Sequence, residues 1–273
     1  AIIGSPCADL HGEITSFELQ FTFYNDAALN SALRHREIMQ IDQFYSTEDQ
    51  AIHFTRQQAS DFAKQIADDF NPIHDIDAKR FCVPGDLLFA VALSKIGLSQ
   101  SMHVRFADMV TEGVKLTFPE KSAAHSEVCD DNGKLFLEIE SEGEHSNKDT
   151  LIANLTREYV AFSGHTFPHI LVPLWQKNNV MINPARPLVI YQSMSIELDT
   201  LDIESPSLAI AEVSLSPQGK RGDVSLGFNF MDQGEIVGRG EKRMVLSGLR
   251  EFDQAQVDGI VEFYNERKQR LAL

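Results

Sequence analysis

The hexapeptide Asp69-Phe70-Asn71-Pro72-Ile73-His74 places a carboxylate and an imidazole at the two ends of a short, stiff turn. Pro72 fixes its own φ and pushes Asn71 out of helical geometry, and the Asn71 side chain can bond locally to hold the turn. An Asp and a His aimed at one point can hold a water between them. The carboxylate can take a proton and the imidazolium can give one, which is general acid–base catalysis, typically worth ~10²–10⁴-fold. Asp75 and Asp77 follow directly and read as solvated turn residues, not as a second carboxylate pair. Cys82 lies nearby with nothing beside it to activate a thiol, and reads as a buried one.

Two helices must flank this turn. Thr55-Arg56-Gln57-Gln58 has the form of a capping box, and Ala59, Phe62, Ala63, Ile66 and Ala67 recur behind it at helical spacing. That helix must stop before Pro72, which leaves residues 68–77 as a loop. Pro84-Gly85-Asp86 opens a second helix with Asp86 as its N-cap. From Leu87 to Ile96 the second helix is apolar nearly all the way round, so it is expected to be buried on all sides. Period-two runs at Val114/Leu116/Phe118 and Leu135/Leu137/Ile139 predict strands, and residues 151–162 read as a further strand. From Asp253 onward Val257, Ile260, Val261 and Tyr264 share one face of an amphipathic helix.

With D-x-N-P-I-H ahead of an apolar helix that begins at a glycine, residues 52–98 resemble the MaoC-like (R)-specific enoyl-CoA hydratases of the hot-dog fold. From Met39 the chain also resembles an uncharacterised bacterial family of unknown function assigned to the hot-dog group. The hydratase resemblance implies that Asp69 and His74 are the catalytic pair and that the Gly85 amide polarises a thioester carbonyl. Asn71 and Ser94 fall at or near substrate-contacting positions of that family, Ser94 one residue out of phase. This chain has Pro84-Gly85 where the hydratases usually have His-Gly. The double-hot-dog hydratases carry the motif in the C-terminal half, whereas here it lies in the N-terminal half. A carboxylate at the start of the helix, as Asp86 is, is also where hot-dog thioesterases keep their base.

The second half echoes the first. Residues 156–164 line up with residues 240–248 at an offset of 84, and Val83-Pro84 falls on Phe167-Pro168 at the same offset. Glu127-Val128 matches Glu212-Val213, and Gly133-Lys134 matches Gly219-Lys220, nearly in phase. Matches in order suggest a duplication, each unit a mostly antiparallel sheet wrapped on one buried helix. The expectation is an α+β double hot-dog chain. Residues 1–38 form an extension of different texture, 39–164 the motif-bearing unit, and 165–273 a second unit without an Asp/His pair, plus the C-terminal helix. Asn183-Pro184 reads as a turn.

Composition narrows the partners. The 273 residues carry 24 Lys and Arg against 40 Asp and Glu, a formal charge of −16, which argues against nucleic acid and anionic membrane surfaces. The longest apolar run, residues 87–93, is far too short to span a bilayer. Cys7, Cys82 and Cys129 are odd in number and widely spaced, which suits a reduced, cytoplasmic setting. His125, His145, His165 and His169 show no ligand spacing, so neither metal nor cofactor is expected.

The expected reaction is reversible addition of water to a trans-2-enoyl thioester carried on coenzyme A or an acyl carrier. The competing expectations are a non-catalytic module that binds an acyl thioester or assembles with partners, and a hot-dog thioesterase working through Asp86. A homodimer is compatible with all of these. Coenzyme A carries phosphates, so an acidic chain needs a local basic patch; Lys79, Arg80 and Lys95 lie nearest the motif in sequence.

Overall fold

A computed structural model describes residues 40–271, all within one compact unit, so the reading of residues 1–38 as an extension, and Cys7, lie outside the described residues. The Thr55 capping box forms as its residue types require: Thr55 Oγ1 accepts from the Gln58 amide at 3.1 Å and Gln58 Oε1 accepts from the Thr55 amide at 3.0 Å. Helix α1 (Arg56–Asp61) then widens into a π-helical turn over Phe62–Ile66, with Phe62 and Ala63 buried. Such a turn is frequent where a chain is being aimed at a functional site.

Helix α2 (Gly85–Ile96) buries every residue from Leu87 to Leu93, and Ile96 as well. Only Ser94 and Lys95, near its far end, are exposed. Pro84 takes the N-cap position and no side chain caps the helix, so Asp86 is the second helical residue and not its cap.

Ten strands make one antiparallel sheet: β1 (Ser46–Glu48), β2 (Ala51–His53), β3 (Leu98–Phe106), β4 (Leu116–Thr117), β5 (His125–Asp130), β6 (Leu135–Ser146), β8 (Val189–Leu198), β9 (Ser207–Gln218), β10 (Arg221–Asp232) and β11 (Glu235–Ser247). Their order is β1-β2-β4-β5-β6-β3-β8-β11-β10-β9, and β7 (Val180–Met181) pairs with β12 (Arg250–Glu251) in a separate small sheet. Only Leu116–Thr117 of the 114–118 run enters the ladder, while Leu135–Ile139 begins the long β6. The molecule is α+β.

Residues 151–162 are not a strand but lie in helix α3 (Asp149–Gly164), whose Leu151, Leu155, Tyr159 and Phe162 are buried. Their spacing of four, four and three residues is helical, and it prevails over the local apolar density. The offset-84 alignment falls with it, since residues 156–164 are helical whereas most of 240–248 is strand β11. Gly, Ser and charged residues mark the ends of helices and strands alike, so such matches do not distinguish the two.

What does recur is the order of strands. From the seam where β3 pairs with β8, the sheet reads β3-β6-β5-β4 one way and β8-β11-β10-β9 the other. Helix α2 precedes β3, while α3 and α4 (Leu171–Lys177) precede β8. Aromatic contacts tie helices to sheet: Phe89 of α2 meets Tyr159 of α3 at 5.3 Å, and Tyr159 and Phe162 meet Phe228 of β10 at 5.8 and 4.9 Å.

At the end of α3 a Cβ on Gly164 would fall inside the Ala67 carbonyl group, so helix and site loop touch backbone to backbone. Gly164→Ala is therefore expected to cost about 3 kcal/mol in urea unfolding. Gly259→Ala, at an exposed position of helix α5 (Gln254–Leu271) with open space around it, should instead add ~0.5–1 kcal/mol. A neutral Gly164→Ala would overturn the close approach.

Candidate functional site

The π-helical turn ends with the Ala67 amide on the Phe62 carbonyl at 3.1 Å, and Asp68 reverses the chain at a φ of 53°. Asp69 follows, its amide on the Ala63 carbonyl at 2.8 Å. The turn then builds itself from its own side chains. Asp69 Oδ1 accepts from the Asn71 amide at 2.9 Å, and Asn71 Oδ1 accepts from the Ile73 amide at 3.2 Å. Asn71 thereby caps a 3₁₀ turn over Pro72–His74, and its side-chain oxygen is engaged in the turn.

His74 is fixed from the other side. Its Nδ1 lies 2.7 Å from the Cys82 carbonyl, a pure acceptor, so Nδ1 carries the hydrogen and Nε2 is left facing Asp69. Nε2 stands 3.7 Å from Asp69 Oδ2. That gap suits one water donating a hydrogen to each. The pair is open to one side, with 28% of the Asp69 side chain and 12% of the His74 side chain exposed.

Gly85 is the first residue of α2. Its amide finds no acceptor among the described residues, as the first amides of a helix do not. A Cβ here would sit 2.9 Å from Tyr191 and 3.1 Å from Phe106, whose tilted rings lie 4.2 Å apart. Cys82 gives its thiol hydrogen to the Val83 carbonyl at 3.2 Å, and burial pushes the thiol up to about 12. It is inert at neutral pH.

Other sequence candidates fall elsewhere. Ser94 is exposed and donates its hydroxyl back to Val91 at 2.8 Å; nine residues of helix put it about 14 Å along the axis from Gly85. Lys95 lies over the Tyr45 ring at 5.3 Å, at that same far end. Lys79 and Arg80 are exposed on the loop between His74 and Cys82. A depression of about 400 Å³ lies away from the pair, among Arg221, Arg243, Ser214 and Ser216, and both guanidiniums there are already paired.

Asp75 is not a solvated turn residue. It is buried in ion pairs with Lys64, at 3.0 Å, and with Arg267 of α5. The C-terminal helix docks on the whole loop, a placement that its amphipathic spacing alone did not show. Tyr264 Oη accepts from the Phe70 amide and donates to the Asp68 carbonyl, both at 3.2 Å. Arg267 Nε donates to the Phe70 carbonyl at 3.3 Å, and Lys268 and His165 both meet the Asp68 carboxylate.

A second cluster lies under the start of α2. Ser163 Oγ donates to Asp86 Oδ2 at 2.5 Å, Lys242 Nζ donates to Ser163 Oγ, and the hydroxyls of Tyr159 and Tyr191 bond to each other. Burial holds the Asp86 carboxyl above its usual range, a rise that Lys242 and the Ser163 hydrogen bond oppose but do not cancel. The signal that could have found this cluster was one carboxylate in the first turn of a helix buried on all sides, a group that must meet partners from elsewhere in the fold.

Compared with known proteins, residues 39–255 match the family described as "Protein of unknown function (DUF3581)", and the chain belongs to it. No curated protein matches. Among solved structures, an acyl-CoA thioesterase II from Mycobacterium marinum is similar at 8% identity and a TM-score of 0.39, covering 79% of this chain and 98% of that one. The full-length peroxisomal multifunctional enzyme type 2 from Drosophila melanogaster is similar at 13% identity and a TM-score of 0.40, over 71% of this chain and 47% of that one. A conserved protein of unknown function with hot dog fold from Alicyclobacillus acidocaldarius is similar at 8% and 0.38, over 77% and 98%. No helix of the described residues is long and apolar enough to cross a membrane.

The α5 contacts carry a pH signature. Burial pushes the Asp68 carboxyl up, but the bonds from His165 and Lys268 more than offset it and hold it below its usual range. A depressed carboxyl contributes stability above its unfolded value, near pH ~4, and loses it as pH falls through the folded value. Lys268→Met should therefore melt a few degrees below the parent at neutral pH, with the gap closing in acid. Thermal melts from neutral to acidic pH read this directly, and a gap that widens in acid would contradict it.

Proposed function

We propose that this member of the family adds water reversibly to trans-2-enoyl thioesters, most simply enoyl-CoA, with Asp69 and His74 as its acid–base pair. The observation that carries the reading is the 3.7 Å gap between Asp69 Oδ2 and His74 Nε2, with His74 locked at Nδ1 by the Cys82 carbonyl. Both groups present acceptors to the gap, so a water there turns its lone pair outward. That oxygen attacks the β-carbon, the π electrons move through the α-carbon to the thioester oxygen, and the Gly85 amide donates to the oxygen where charge develops. The water gives one proton to the pair and the α-carbon takes one back, so the pair ends as it began. Asp69 is the base on water and His74 shares the proton bound for carbon, the two titrating as one unit.

The architecture is read as a double hot-dog. Its support is the mirrored strand order on either side of the β3–β8 seam, with a helix ahead of each inner strand. In this reading α3 heads the second unit, so the division falls after Ser146 and not at residue 164. The second unit walls the acyl chain through the Phe106–Tyr191 side. Lys79 and Arg80, exposed beside His74 in sequence, supply counter-charge for the coenzyme phosphates on an acidic protein.

Loss of enoyl absorbance with crotonyl-CoA tests the reaction. Asp69→Asn and His74→Gln should each slow turnover by ~10²–10⁴-fold, while Ser94→Ala should leave it unchanged. Reversing Lys79 and Arg80 to Glu should raise KM with little change in kcat. Thiol release, followed in parallel, should stay flat; release that survives Asp69→Asn and is lost in Asp86→Asn would favour hydrolysis instead. Equal rates for the parent and Asp69→Asn, or no turnover at any chain length, would reject the hydratase reading.

A further inference from the structure

We infer that Arg267 of α5, seated by Tyr264, is the positioning residue that sets the separation of Asp69 and His74, by bracketing the turn between them. Phe70 follows Asp69 and Asp75 follows His74, and one guanidinium bonds to both. Its Nε donates to the Phe70 carbonyl at 3.3 Å, and its Nη2 donates to Asp75 Oδ2. The N–H groups of a guanidinium lie in one rigid plane, so two bonds from it fix the spacing of their acceptors as a flexible ammonium does not. The bonds within the turn are shorter in reach: the Asn71 amide on Asp69, the Ile73 and His74 amides on Asn71, and the Asp75 amide on Pro72. Each fixes one step of the chain, and small errors in successive steps add up between Asp69 and His74. The bracket removes that freedom from outside the turn.

The bracket is itself held. Arg267 and Asp75 are buried, and Lys64 of the π-helical turn meets the same Asp75 carboxylate at 3.0 Å. The Phe263 ring lies 5.5 Å from the guanidinium. Tyr264, three residues back and so on the same face of α5, takes the Phe70 amide and the Asp68 carbonyl, both at 3.2 Å. Both backbone polar groups of Phe70 are therefore tied to α5, the N–H by Tyr264 and the C=O by Arg267. Asp69 lies between Asp68 and Phe70, so it is clamped on both flanks, and its own amide rests on the Ala63 carbonyl at 2.8 Å. His74 is anchored on another segment, through the Cys82 carbonyl at 2.7 Å. Arg267 joins the two anchorages. An acid–base pair that shares one water loses rate steeply when misplaced, so the side chain that sets the gap governs turnover without touching substrate.

The inference rests on Asp69–His74 being the working pair, so its test has a readout besides turnover. Arg267→Lys keeps a cation for the buried Asp75 carboxylate but gives up the planar fork. With crotonyl-CoA its kcat should fall by ~10–10²-fold with little change in KM. Amide hydrogen exchange of the full chain, followed by NMR, should show Asn71, Ile73 and His74 losing about tenfold or more in protection while Val91, inside α2, keeps its own. A residue that merely stabilised the fold would lower protection in α2 as well. Arg270→Lys, an exposed change on the same helix, should leave both readings at the parent's values. Should Arg267→Lys fail to fold by circular dichroism, Tyr264→Phe keeps the ring contacts with Phe70 and Phe167 and frees the Phe70 end of the bracket. The same three amides must then lose protection. A kcat within about twofold of the parent in Arg267→Lys overturns the inference. Loop amides as protected as the parent's, or a loss spread evenly over loop and α2, overturn it too. A chain without turnover whose loop amides respond as stated would reject the hydratase reading alone. An active chain whose Arg267→Lys variant matches the parent would reject this inference alone.

Discussion

Helix α2 carries a carboxylate in its first turn into a core that is otherwise apolar, and the surrounding fold is arranged to meet it. An ionised group taken out of water costs several kcal/mol unless it is paired and hydrogen-bonded. The partners come from later segments of the chain: Ser163 and Tyr159 from α3, Tyr191 from β8 and Lys242 from β11. No short segment could supply them. The demand of one buried side chain thereby draws together α2, α3 and strands β8 and β11, segments 70 to 160 residues apart in the chain.

The same loop is held at three levels. Its own side chains close the turn through Asp69, Asn71 and the 3₁₀ segment. The Cys82 carbonyl then selects the His74 tautomer. Helix α5 finally takes up the orphaned polar groups of the loop backbone and its carboxylates, through Tyr264, Arg267 and Lys268. Backbone amides and carbonyls in an exposed loop can turn to water, but those of Asp68 and Phe70 are covered, so they need protein partners. The result is an Asp69–His74 pair whose geometry is fixed by the fold itself.

Much of this was legible in the residues alone. The Thr55 capping box, the stop ahead of Pro72 and the all-round apolar run from Leu87 each follow from chemistry acting within one helical turn, and each appears where it should. The reading of residues 151–162 as a strand did not survive, because short apolar runs satisfy both periods until the spacing of Leu151, Leu155, Tyr159 and Phe162 is weighed across the whole segment. The offset-84 echo did not survive either. Repetition lies in the order of strands about the β3–β8 seam, a property of pairing that leaves little trace in residue identities.

The sequence by itself determined that a carboxylate and an imidazole stand at the two ends of one short turn. It did so because these groups are close in the chain, and local dihedral rules place them. Tertiary structure alone decided that Asp75 is buried, that Asp86 is not a cap, and that Ser163, Lys242 and helix α5 belong to the same neighbourhood. Those facts depend on which distant segments pack together. That choice is made by burial of apolar surface, which has no direction and so cannot be read from the spacing of any one segment.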